Sequence, residues 1–166
     1  MCSFETEHEK KLFRFASLHW SVPVTTGYGR RTSFLVKDRS NDKLIGIFAL
    51  RDPVIGLGPR DEAIGWTTEQ RYDRLYNVYD AYVLGAVEPY RQLLGGKLMA
   101  LATISNETTN HLVKKYTSGD EEERKTVIRD EVKDPTPVMI ITLETQSHVT
   151  AVLSTNSEQC ICNLTE

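Results

Sequence analysis

The chain has 166 residues, a formal net charge of −3, 40% hydrophobic and 26% charged residues. That balance is ordinary for a folded domain and excludes a disordered chain, a fibrous repeat and a globally basic nucleic-acid coat. At this length a single core is the expectation, since about 150 residues already remove roughly 70% of the unfolded surface from water.

In chain order, Thr6 to Leu18 places Leu12, Phe13, Phe15, Ala16 and Leu18 behind an acidic first turn. Thr6 and Glu9 stand three apart as in a capping box, so this stretch predicts an amphipathic helix. Pro23 and Gly27-Tyr-Gly29 interrupt it. Thr32–Lys37 and Lys43–Leu50 then read as two β-runs around the turn-rich Asp38–Asp42, which predicts a hairpin.

Arg51 to Trp66 holds Pro53, Gly56, Gly58, Pro59 and Gly65, a density of breakers that predicts a long loop. Such loops tend to carry function, and this one brings Arg51, Asp52, Arg60, Asp61 and Trp66 into a short span. Thr67 and Gln70 again have capping-box spacing, and Tyr72, Leu75, Tyr76 and Tyr79 follow at helical intervals, predicting a helix to about Tyr79. Ala81–Val87 is a short apolar run closed by Pro89, as in a buried strand.

Leu94, Leu98 and Leu101 mark a further helix face, and Ser105 or Asn106 is placed to cap another helix through Tyr116, closed by Gly119. The acidic run from Asp120 most simply marks a solvated segment. Val138–Leu143 reads as a buried strand, and beyond Glu144 the pattern weakens.

Cys2, Cys160 and Cys162 form no disulfide framework, and neither they nor His8, His19, His111 and His148 have metal-ligand spacing, so no metal is expected. The N-terminal stretch carries charge in place of the apolar centre of an export signal, and no run of about 18 apolar residues is present to span a membrane. The expected location is the cytoplasm.

The stretch Glu88-Pro-Tyr-Arg-Gln-Leu-Leu-Gly-Gly-Lys97 sets two glycines and a lysine after a strand, where a helix is starting. Backbone N–H groups at a helix start lack partners and attract anions, and glycine lets a ligand come close. The spacing is neither that of a P-loop nor the three-glycine dinucleotide fingerprint. With Gln92 and Gly95 in place, and Lys97 where a small residue is preferred, it resembles the pyrophosphate loop of the GNAT acyltransferases. The order of elements fits the same family. Without a ligand, the glycine pair would serve close packing of helix on sheet.

A second resemblance covers Phe13 to Thr142. Gly27-Tyr-Gly-Arg-Arg31, Leu44-Ile-Gly46, Arg51-Asp-Pro-Val54, Pro59-Arg-Asp61, Ile64-Gly-Trp66, Asp80–Val87 and Gln92–Lys97 are similar to the Druantia anti-phage system protein DruA family. Members of that family also occur with transposases and have been described as a domain of unknown function. The resemblance implies defence or mobile-element biology, with DNA, RNA, transposases or other defence proteins as partners and no membrane. After Thr142 the sequence departs from the family pattern. It is therefore divided into one GNAT-like domain, residues 1–144, and an atypical tail, residues 145–166, expected to be truncated or altered.

The combined expectation is an α/β (α+β) fold, a GNAT-like central mixed sheet flanked by helices. If the protein is an enzyme, acyl-CoA is the expected cofactor. Gln92, Gly95, Gly96 and Lys97 would hold its pyrophosphate, and Asp61 or Asp80 would help deprotonate an acceptor amine. Arg30, Arg31 and Arg60 would contact phosphate or nucleic acid. Two structural alternatives stand beside these roles: Arg60 and Asp61 pair to pin a loop, and Tyr72, Tyr76, Tyr79 and Tyr82, instead of offering stacking platforms to bases, form a half-buried face. The rival function is a non-catalytic nucleic-acid-binding module whose glycine loop and arginines grip backbone phosphate.

Overall fold

The computed structural model describes residues 2–3, 6–20, 24, 29–118, 135–145, 148–153 and 160–164. The acidic run from Asp120 and the closing Gly119 lie outside them. A short strand β1 (Cys2–Ser3) precedes helix α1 (Glu7–Ser17), whose start is the expected box: the Glu9 amide donates to Thr6 Oγ1 and the Thr6 amide to Glu9 Oε2. Strands β2 (Arg31–Lys37) and β3 (Leu44–Arg51) form the hairpin.

Where a loop was expected, a helix α2 (Gly58–Ile64) forms. Its Pro59 lies in the first turn, and Gly65 closes it with a left-handed φ of 75°. The breakers are thus the start and stop of a short helix. Helix α3 (Thr68–Arg74) follows the predicted Thr67–Gln70 box, but it ends at Arg74 and a single tight turn leads into β4 (Val78–Ala86). Tyr79 therefore lies in a strand. Helices α4 (Tyr90–Thr103) and α5 (Asn106–Ser118) come next, and Ser105 Oγ accepts the amide of Thr108 at the start of α5.

Strands β5 (Met139–Thr145), β6 (His148–Leu153) and β7 (Cys160–Leu164) complete one seven-stranded sheet whose spatial order follows the sequence. Every neighbouring pair is antiparallel except β4 and β5, which run parallel across the α4–α5 connection. The result is the expected mixed sheet flanked by helices.

Each face of the sheet carries apolar side chains. On one, Phe34, Phe48, Leu50, Tyr79 and Ala81 pack with Ile104, Leu112 and Tyr116 from the α4–α5 side. On the other, Leu35, Ile47, Ala49 and Val83 pack against Phe13 and Ala16 of α1, while Val78, Met139 and Ile141 pack with Leu75, Ile64 and Trp66. Helix α4 comes so close to β3 that a Cβ on Gly46 would collide with Met99 Sδ and the Gly85 carbonyl. On the opposite face Trp20 lies on Gly85. Among the described residues, no helix is long and apolar enough to cross a membrane.

Candidate functional site

Arg31 stands opposite Arg51, and Arg51 opposite Asp80, so three charged residues form one row across β2, β3 and β4. Directly opposed residues share a face of the sheet. Along β4 this row lies between Val78, which belongs to the Trp66 cluster, and Val83, which belongs to the α1 cluster. A polar seam thus divides two apolar patches.

Asp80 is only 1% exposed. Arg51 donates both Nε, at 2.8 Å, and Nη2, at 2.7 Å, to the same oxygen, Oδ2. The other oxygen, Oδ1, is buried and meets no hydrogen-bond donor among the described residues. Burial pushes the Asp80 carboxyl above the ordinary carboxylate range, and the charge and hydrogen bond of Arg51 pull the other way.

Beside it the ladder slips. Ala49 faces Val83 and Leu50 faces Ala81, which leaves Tyr82 as an extra residue in a β-bulge. The guanidinium carbons of Arg31 and Arg51 each lie 5.1 Å from the Tyr82 ring centre, within cation–π range.

The same row marks where the sheet parts. The parallel pairing joins Val78 to Met139, Tyr79 to Ile140 and Asp80 to Ile141, and there it stops, although β4 runs on to Ala86 and β5 to Thr145. At the far end of β4 the chain turns into α4, where Gly95 has φ 60° and ψ −174° and breaks the helix in two. That conformation is essentially reserved for glycine. The segment beyond it opens with Gly96, Lys97 and Leu98, whose amides have no acceptor one turn earlier in their own segment. An added Cβ at Gly95 or Gly96 would meet nothing within 4 Å, and Gln92 and Lys97 are exposed.

The remaining candidates lie elsewhere. Arg60, 1% exposed, donates Nε and Nη2 to Asp61 Oδ1 at 2.8 and 2.6 Å, and its Nη1 and Nη2 to the carbonyls of Val54 and Ile55. Arg71 Nη1 binds Asp61 Oδ2 at 2.9 Å. Both oxygens of Asp61 are therefore held, and the trio ties α2 to α3 and to the preceding chain.

Arg30, also 1% exposed, binds Asp52 through its amide and Nε, the Tyr79 hydroxyl through Nη1 and the Tyr76 carbonyl through Nη2. Its guanidinium carbon lies 4.3 Å from the Tyr79 ring centre, and the Tyr79 hydroxyl donates to the Pro135 carbonyl. This network braces the α5 side of the sheet.

Of the nine residues singled out from the sequence, the structure brings Arg31 and Asp80 into one row and Gln92, Gly95, Gly96 and Lys97 into one helix start. It separates Arg30 from that row and places Arg60 with Asp61. Arg51, noted in the breaker-rich stretch, and Tyr82, noted among the tyrosines, were not among those nine. Strand register puts Arg51 between Arg31 and Asp80, and the slip of that register at Ala49/Leu50 turns Tyr82 out as the bulged residue beside them.

No solved structure matches this chain. The Druantia protein DruA of Escherichia coli (strain UMEA 4076-1) is 54% identical over 105 residues, which are 63% of this chain and 26% of that protein. The matched region thus spans about a quarter of the length of that relative. A family model described as Druantia protein DruA matches residues 3–162, and the chain belongs to the DruA family.

Proposed function

We propose that this DruA-family chain serves anti-phage defence as a GNAT-like acyltransferase that modifies a nucleic-acid-associated target. The amides of Gly96, Lys97 and Leu98 hold the pyrophosphate of an acyl-CoA, and the Lys97 ammonium and the Gln92 side chain add polar contacts. The extended arm of the coenzyme runs along the parted strands toward Asp80, which takes a proton from the acceptor amine.

The observation that carries this reading is the early end of the β4–β5 ladder at Asp80 and Ile141, combined with the glycine break after β4. From Asp80 to Ala86 the strand covers about 20 Å. A coenzyme with a phosphate grip at one end and a thioester at the other suits such a span. Asp80 suits the role of base better than Asp61, because Asp61 has both oxygens occupied by arginines.

The test is calorimetric titration with coenzyme A. Lys97→Glu, at an exposed position, should weaken binding about tenfold or more by reversing a charge beside the phosphates. Gly95→Asp should abolish it. Unchanged affinity in both variants overturns the reading.

A further inference from the structure

A carboxylate with one oxygen doubly bonded to a guanidinium and the other enclosed without a donor is half satisfied, and leaving such an atom bare is costly. Arg51 does not share its two N–H groups between the oxygens of Asp80. It places both on Oδ2, which fixes the carboxylate and keeps Oδ1 open to another partner.

The neighbours of Asp80 define what that partner is. Its charge is already matched by Arg51 through two short contacts, and Arg31 is the next residue of the row. With that charge already matched, a cationic ligand would gain little beside the Arg51 guanidinium, whereas an uncharged N–H donor would satisfy Oδ1 without adding charge. Tyr82, between the arginines and the α1 cluster, supplies an aromatic wall. Oδ1 is enclosed in the free protein, so a ligand reaches it by a shift of the side chains around it.

We infer that Asp80 Oδ1 accepts the N–H of a weakly basic amine, uncharged at neutral pH as aromatic amines are, and that Arg51 is the positioning residue that reserves this oxygen for it. The step itself rests on the acyl-transfer reading above, while the binding does not. The amine lone pair forms the N–C bond to the thioester carbonyl, the C–S bond breaks, and its electron pair leaves on the coenzyme sulfur. The proton from the amine nitrogen passes to Oδ1 and then by way of solvent to the thiolate. An amine that arrives uncharged presents its lone pair at once, which an ammonium ion cannot.

The probes are aniline, its hydrocarbon counterpart toluene, and the cation benzylammonium. They are titrated at pH 7 into the full chain, followed by calorimetry and by the carbon-13 resonance of the Asp80 carboxylate. Aniline should bind about tenfold more tightly than toluene, the share of one hydrogen bond to a charged acceptor, and should shift the Asp80 resonance. Benzylammonium should bind no better than toluene. Asp80→Ala should erase the preference for aniline, and Arg51→Lys should reduce it and alter the pH at which the Asp80 resonance titrates.

Equal binding of aniline and toluene, no binding of any probe, or tighter binding of benzylammonium overturns the inference. The wild-type resonance decides the matter even if Asp80→Ala fails to fold. Coenzyme A titrated in parallel separates the two claims. If it does not bind while aniline behaves as stated, the acyl-transfer reading falls and the amine site stands.

Discussion

Arg51 and Asp80 face each other across β3 and β4, and both guanidinium contacts, at 2.8 and 2.7 Å, converge on a single carboxylate oxygen. Removing one partner of a buried pair leaves the other charge uncompensated. Arg51→Ala should therefore destabilise the fold by about 3 kcal/mol in urea denaturation. The double variant Arg51→Ala with Asp80→Asn should recover part of that loss, because the stranded charge is gone.

The upward shift of Asp80 gives a pH dependence of definite sign. The folded chain holds this proton more tightly than the unfolded chain, whose carboxyl titrates at about 3.8. The contribution to stability is thus greatest below that value and declines as pH rises toward and through the folded value. Relative to Asp80→Asn, the wild type should lose stability as pH climbs from about 4, measured by urea midpoints at a series of pH values. A gain over that range would contradict the burial of Asp80.

Asp61 should behave as a fastener. Asp61→Asn weakens three contacts from two arginines and should cost about 2–3 kcal/mol. Coenzyme A affinity, measured on the folded fraction, should stay within about twofold of wild type. A large loss of affinity at unchanged stability would place Asp61 in contact with ligand.

Gly46→Ala tests the seat of α4. The new methyl group would press on Met99 Sδ and the Gly85 carbonyl, and overpacking of this kind costs about 1–3 kcal/mol. Adding Met99→Ala should ease the sulfur contact and restore part of the loss in thermal unfolding.

Much of this architecture can be read from local pattern, for local reasons. The two Thr-led capping boxes rest on residues three apart, the β2–β3 hairpin on two β-runs around one short turn, and the break in α4 on an adjacent glycine pair. Local pattern is ambiguous where the same residue types serve two structures. Pro59 and Gly65 read as loop breakers but bound a short helix. Tyr72, Tyr76 and Tyr79 read as one helical face, yet Tyr79 lies in β4 opposite Ile140, with its hydroxyl between Arg30 and the Pro135 carbonyl.

The site itself was only half legible. Gly95 announces itself, since few residues other than glycine adopt such a backbone. The Arg31, Arg51 and Asp80 row depends on the register of three strands whose charged members lie 20 and 29 positions apart in the chain. No short-range spacing encodes it. Arg30 and Arg60 look like surface cations in a list of charges, and only their enclosure beside Asp52 and Asp61 shows them bracing the interior.

The brevity of the β4–β5 ladder has a mechanical corollary. Among the described residues, three rungs join the amino-terminal meander to the carboxy-terminal one, reinforced nearby by Asn77, which donates to the Thr136 carbonyl, by Val138, whose amide donates to the Asn77 carbonyl, and by the Tyr79 hydroxyl, which donates to the Pro135 carbonyl. The two leaves of the sheet are therefore coupled through a narrow isthmus of backbone hydrogen bonds, backed by the packing of Met139, Ile140 and Ile141 on the residues beside Val78 and Tyr79. A molecule seated in the fork would act as a splint, making the two halves respond to force or heat as one body.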